Sequence, residues 1–290
     1  MDTTAQIVWL ALMQTAPSDR RDAFFDALSP EILVELKKLP SVSADLFLGI
    51  PSIEEELSNV HYSWLAPFLR SLPENEIKLF LASLTQEQID GLKHALLLTN
   101  TLPSLAPIGK TYLNQTLFDL IAEEGLLPAA FLPADPLNIL LELTYEELTS
   151  LIDLLSMHDL SIEIRHIIET SKLKEIYGIL SKAQTTFLKT LLHKKEPVSF
   201  KKMGLLNWKG DREALRSMLL QRGINRIAKA LYGSHPSLLW HIAHRLDLEK
   251  GQLLNKLCTA LDHPRASALL SDQLVELVNA LKHNNPSQNL

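Results

Sequence analysis

The sequence predicts an all-α protein, and three observations predict it. Among 290 residues there are 61 Leu but only 7 Val and 10 Gly, a balance that favours straight-chain helix formers over strand formers. Apolar residues recur at helical spacing through most of the chain. The intervening turns are short and rich in Ser, Thr, Asp and Pro, the residue types that begin helices. With 46% hydrophobic and 21% charged residues the chain can bury sizeable cores and lacks the composition of a disordered polymer. So few glycines leave little material for phosphate-cradling loops, which argues against a nucleotide-dependent enzyme.

Several helices open with one phrase, Leu-x-x-acid followed by apolar residues at helical spacing. It stands at Leu28-Ser-Pro-Glu31, Leu84-Thr-Gln-Glu87, Leu143-Thr-Tyr-Glu146 and Leu246-Asp-Leu-Glu249, with a looser copy at Leu72-Pro-Glu-Asn-Glu76. Its physical content is a helix start. Thr85 with Gln88 and Thr144 with Glu147 have capping-box spacing, Pro30 and Pro73 suit a first turn, and the leading Leu packs beneath the new helix. The copies are irregularly spaced, so the expectation is an irregular array of short amphipathic helices, armadillo-like in the C-terminal part, rather than a strict tandem repeat.

Five regions follow in chain order. Residues 1–100 form an acidic helical domain, beginning with a helix over Ile7–Met13 that lacks the basic flank of a secretory signal. Residues 101–136 hold five of the fifteen prolines around one short apolar helix and form a Pro-rich connecting segment. A middle helical segment spans 137–200, a basic helical domain spans 201–283, and the polar tail 284–290 should fray. Residues 1–160 carry 8 Lys and Arg against 23 Asp and Glu, a net of −15, whereas 161–290 carry 20 against 11, a net of +9. Opposite fields of this kind steer association, either with different partners or between the halves.

Chemistry is sparse. Cys258, the single cysteine, excludes an intramolecular disulfide, fits a reducing compartment, and lies in an apolar run where a thiol is inert. No run of about 18 apolar residues supports a membrane span, so any membrane association is peripheral. Ser104 to Thr111 ends like a phosphate loop but has Ser104 in place of the first glycine and contains Pro107. His241 and His244 lie one helical turn apart with no cysteine or carboxylate pair to complete a zinc site, so they read as a helix surface. Glu54, Glu55 and Glu56 read as a helix first turn. Neither a catalytic constellation nor a cofactor or metal site is expected. The basic stretch Lys189–Lys229 includes Lys194, Lys195, Lys201, Lys202, Lys209, Arg212, Arg216, Arg222 and Arg226, and it could follow a phosphate backbone along one or two helical stripes.

From Asp211 onward, about 50 residues run through Ile227-Ala-Lys-Ala-Leu231, His235-Pro236 and Leu246-Asp247-Leu248-Glu249-Lys250. This stretch resembles the middle domain of the flagellar motor-switch adaptor FliG, whose phrases are Glu-His-Pro-Gln and then Leu-Asp-Pro-Glu-Lys. Ser234, Ser237 and Leu248 depart from that pattern, the first two on the surface that docks the neighbouring switch protein in the family. No counterpart of the torque-generating charged helix is present. The resemblance implies a non-enzymatic, non-rotary cytoplasmic adaptor in a flagellum-like type III secretion assembly, linking an inner-membrane ring to a cytoplasmic platform at the inner face of that membrane. Its partners would be protein components of the assembly, with oligomerisation inside it compatible. His235, Pro236, Ser237, Trp240 and Arg245 are the candidate protein-binding residues. Pro236 suits a helix first turn with Ser234 or His235 as its cap, and Trp240 is either a core residue or, if exposed, an interface anchor with Arg245 at its rim. The alternatives are a nucleic-acid-binding protein using residues 189–229, and a helical enzyme whose site assembles from distant residues.

Overall fold

The computed structural model describes residues 52–99, 101–261 and 264–284, together with Phe25 and Leu28. Every regular element among them is helical. In chain order these are α1 (Ile53–Ser58), α2 (Ala66–Leu69), α3 (Glu74–Leu81), α4 (Gln86–Leu96), α5 (Pro107–Ile121), α6 (Tyr145–Ile164), α7 (Thr170–Tyr177), α8 (Lys182–Leu191), α9 (Arg212–Leu231), α10 (Pro236–Arg245), α11 (Leu248–Leu257) and α12 (Pro264–Asn284). Short 3-10 turns lie at Tyr62–Trp64, Ala129–Phe131, Pro136–Glu142 and Leu205–Asn207. No described helix is long and apolar enough to cross a membrane. The expectations for residues 7–13, for the helix after Leu28 and for the tail beyond Asn284 lie outside the described residues.

Local chemistry sets the helix starts. Thr85 with Gln88 and Thr144 with Glu147 form reciprocal capping boxes, and Ser52 with Glu55 and Ser181 with Gln184 add two that the repeated phrase did not flag. Pro73 stands one position earlier than expected, as the N-cap of α3. Leu84, Leu143 and Leu246, the leading residues of three phrases, are all buried.

Three cores result. The first gathers Leu57, Leu69, Leu81, Leu92 and Leu117 from α1–α5, and it takes in Trp240 from α10. The second joins Leu137–Leu155 to the C-terminal half of α9 and to α10–α12. The third joins Met157–Ile164 to α7, α8 and Leu215 and Leu219 at the start of α9. The long helices α6 and α9 therefore run through two cores each, and the packing crosses residue 200 rather than dividing there. Gly223 makes their approach possible, because a Cβ on it would lie 2.0 Å from the Ile152 carbonyl oxygen. The Pro-rich stretch is tied down as well. It contains the 15-residue α5, and beyond it the Leu127 and Ala129 amides donate to Ser237 Oγ (3.0 Å) and Glu56 Oε1 (3.1 Å).

Candidate docking groove beside an internal joint

Helix α10 begins as its sequence requires. The His235 ring accepts the Ser237 amide at 3.2 Å as the N-cap, and Pro236 fills the first helical position. Its inward face is then Ser237, Trp240, His241 and His244, spaced at i, i+3, i+4 and i+7. Trp240 is 4% exposed, and its Nε1 donates to the Ile121 carbonyl at 3.2 Å. The His244 ring lies between two indoles, stacked on Trp240 at 3.9 Å and tilted against Trp64 at 3.9 Å. Trp64 is itself anchored by Nε1 donation to the Leu246 carbonyl at 2.9 Å.

The histidines, expected on a helix surface, are buried because each ring finds a carbonyl inside. His244 Nδ1 donates to the Trp240 carbonyl and His241 Nε2 to that of Leu127, both at 2.8 Å. Burial pushes the His244 pKa down to about 4, and burial likewise lowers that of His241, against the pull of the Leu127 carbonyl and of Glu56, whose Oε2 lies 3.7 Å from His241 Nδ1.

Of the five candidate residues, Ser237 and Trp240 are therefore interior, His235 and Arg245 are half-buried, and Pro236 is exposed. Arg245 donates from Nη1 to the Leu143 carbonyl at 2.9 Å. Through Ser237 and Trp240, α10 is held against Leu127 and the Ile121 end of α5, an internal joint in which Trp240 takes the core role rather than the exposed one. Gly251 completes it, since a Cβ there would lie 2.4 Å from the Ala243 carbonyl oxygen and 2.5 Å from the Trp64 ring.

Beside the joint the surface opens into two adjoining hollows of about 250 and 660 Å³, which share His61, Tyr62, Glu87, Tyr145 and Glu146. Arg245 lines the smaller, and Arg70, Asp247 and Glu249 line the larger. The His61 ring centroid lies 4.3 Å from that of Tyr62 and 4.7 Å from that of Tyr145, making an aromatic floor. Burial lowers the His61 pKa despite nearby Asp247. Tyr145 is fixed from below: its hydroxyl lies 3.2 Å from Asp247 Oδ2 and accepts from Lys250 Nζ at 3.0 Å, while Lys250 pairs with Asp247 at 2.5 Å. Burial works against the Asp247 carboxylate, but the Lys250 ammonium and amide and the Tyr145 hydroxyl hold its pKa below the usual range.

The groove was encoded in the repeated phrase. Glu87, Glu146 and Glu249, all exposed, are the acidic residues of three Leu-x-x-acid copies, and the starts of α4, α6 and α11 converge here. His61 and Tyr62 carried no such signal. The arrangement offers an aromatic surface with an acidic rim of Glu87, Glu146 and Glu249, suited to a Lys- or Arg-bearing segment of a partner.

Glu54, Glu55 and Glu56 do occupy a helix first turn, with Glu56 buried against the joint. Pro107 begins α5, and Lys110 pairs with Glu54, so residues 104–111 form a helix start rather than a phosphate loop. Cys258 caps α11 half-buried, and burial raises its thiol pKa. The basic stripe on α9 is broken. Arg226 is fully buried and pairs with Asp159 (2.7 Å) and Glu196 (3.1 Å), Arg222 donates to the Lys201 carbonyl, and Lys229 holds Thr259. Lys194, Lys195, Lys201, Lys202 and Lys209 remain exposed. Comparison with known proteins found no matching family model, no similar curated protein and no similar solved structure.

Proposed function

We propose that the protein is a non-enzymatic cytoplasmic adaptor of a flagellum-like type III secretion apparatus, joining an inner-membrane ring to a cytoplasmic platform through protein contacts. The observation that carries the adaptor reading is the convergence of three helix starts on one aromatic groove rimmed by Glu87, Glu146 and Glu249. A groove of this composition binds a basic segment by stacking and charge, and it has no need of a reactive group. The assembly is inferred from the resemblance of residues 211–260 to the middle domain of FliG. Within that stretch Asp247 and Lys250 of the second family phrase brace the groove through Tyr145. The opposite charge of the C-terminal half leaves the exposed lysines at 194–209 free to meet a second partner of acidic character.

Those same lysines support a second reading, attachment to nucleic acid, although Arg226 no longer contributes to it. Affinity capture from native cells at low salt separates the two, using the wild-type chain and a Glu87→Lys/Glu146→Lys/Glu249→Lys variant with and without nuclease. The adaptor reading expects ring and platform proteins that survive nuclease and are lost from the variant. Recovery that nuclease abolishes while the variant retains it would establish the nucleic-acid reading instead.

A further inference from the structure

The C-terminal end of α6 gathers a second surface, distant from the groove. Glu163 accepts the Met203, Gly204 and Leu205 amides and so fixes the turn Leu205–Asn207. Two residues on, Arg165 Nη2 donates to the carbonyls of Leu191, Leu192 and Lys194 and holds the loop after α8. Lys172 on α7 reaches the Leu206 carbonyl at 2.7 Å, and Arg222 on α9 reaches that of Lys201 at 2.6 Å. These contacts bring α7, the loop after α8 and the 3-10 turn to the last turn of a 20-residue helix whose first turn carries Tyr145 and Glu146. This surface and the groove therefore lie about 30 Å apart, at opposite ends of α6.

Its charge is one-sided. Residues 165–210 carry 10 Lys and Arg against 3 Asp and Glu, a net of +7. Of the three acids, Glu169 and Glu175 are exposed, whereas Glu196 has a side chain only 6% exposed and is engaged by Arg226 and His158. Lys194, Lys195, Lys201, Lys202 and Lys209 are exposed and form no ion pair among the described residues. Among these cations stand two bare aliphatic side chains. Ile168 is 96% exposed, more than any other large apolar residue described, and Leu206 is 62% exposed. Lys172, four residues beyond Ile168, ties that segment to Leu206. Aliphatic groups held in water among cations match a bilayer surface, where hydrocarbon lies beneath anionic headgroups. Nucleic acid fits less well. Single strands stack on aromatic faces, but Phe200 lies beneath the buried Arg226, 5.5 Å from its guanidinium carbon, and Trp208 is 8% exposed with Nε1 on the Asp211 carbonyl. Duplex phosphates, for their part, have no use for Ile168 and Leu206.

We propose that this end of the molecule docks on an anionic lipid bilayer, with Ile168 and Leu206 entering the boundary between headgroups and acyl chains and the lysines meeting the headgroup charges. Lipid is thereby the acidic second partner of the adaptor reading, but the assignment rests on Ile168, Leu206 and the lysines alone. The test is co-sedimentation of the full-length protein with phosphatidylcholine vesicles, alone or with about 30 mol% phosphatidylserine, at low and at high salt. The protein should pellet with the anionic vesicles, less so as salt rises, and ignore the neutral ones. Lys194→Glu/Lys195→Glu/Lys201→Glu/Lys202→Glu should weaken binding at least about tenfold. Ile168→Ser/Leu206→Ser removes no charge and should weaken it several-fold. Both variants change exposed residues only, and circular dichroism should show wild-type helicity in each. Absence of binding to anionic vesicles, equal binding to neutral ones, or unchanged binding by either variant would each overturn the proposal. Capture of a DNA duplex in place of vesicles would overturn it too, and would assign the lysines to nucleic acid. No ring or platform protein takes part in this measurement, so its failure leaves the groove reading standing.

Discussion

The joint around Trp240 and the network around Arg226 both bury polar groups between segments far apart in sequence, one with neutral rings and the other with formal charges. At the joint, His241, His244, Trp64 and Trp240 each donate to a backbone carbonyl, and burial keeps the His244 ring neutral. In the network, Arg226 bridges Asp159 on α6 to Glu196 on the loop after α8, and Gln273 on α12 closes it. Asp159 Oδ2 and Arg226 Nε, like His158 Nε2, find no partner among the described residues. Neutral groups matched one-to-one with carbonyls tolerate burial at little cost, whereas buried charges depend on every member remaining in place. The first arrangement suits a permanent connection between the two halves, and the second leaves three buried polar atoms without a hydrogen-bond partner among the described residues.

Breaking the charged network should have the largest effect. Arg226→Ala strands two buried carboxylates and should destabilise the fold by about 5 kcal/mol in denaturant unfolding followed by circular dichroism. Adding Asp159→Asn and Glu196→Gln to that variant should recover part of the loss; no recovery would mean that Arg226 acts through packing alone. Trp240→Ala removes the indole shared by the first core and the joint, and should cost about 3–4 kcal/mol. Gly223→Ala drives a methyl into the Ile152 carbonyl, so α6 and α9 must separate, at about 2–3 kcal/mol.

Acidification distinguishes the two clusters by pH window. The folded His244 pKa, about 4, lies below the ordinary 6.5, so the unfolded chain binds more protons between those values. The joint's contribution is therefore complete above pH 6.5 and falls as the pH drops towards 4, with about 2 kcal/mol gone at pH 5. Glu196, held at about 2 instead of 4.5, contributes above pH 4.5 and is lost between 4.5 and 2. Stability measured from pH 7.5 to 3 should thus decline in two stages, and His244→Gln should flatten the first. The smallest effect belongs to the groove rim, where Glu146→Gln should change stability by no more than about 0.5 kcal/mol, as exposed residues do.

Much of the helical fold was legible because its signals are local. The capping boxes at Thr85 and Thr144 need only three residues, and both form. What was not legible depends on long-range partners. Arg226 fits a solvent-facing stripe on α9 until Asp159, 67 positions earlier, is brought against it. His241 and His244 look like surface residues unless Trp64, Ile121 and Leu127 are known to lie over that face of α10. The polar Ser156, His158, Asp159, Ser161 and Glu163 of α6 blur its amphipathic pattern, since all are buried where the helix passes between two cores. Glu163, for one, accepts the Gly204 and Leu205 amides at 3.1 and 3.0 Å and so holds a distant 3-10 turn. The groove lay between these cases: three of its acids stood in a visible repeat, but only the fold shows that the three copies converge.

On the proposed function α10 is an internal joint and docking falls to the groove beside it. Hydrogen exchange on the isolated full-length protein tests this most directly. Amides of residues 237–245 should exchange as slowly as those in the second half of α9, with both protected to nearly the global stability. If α10 instead exchanges as fast as an exposed helix while α9 stays protected, Trp240 is accessible in solution and the joint is a docking face after all.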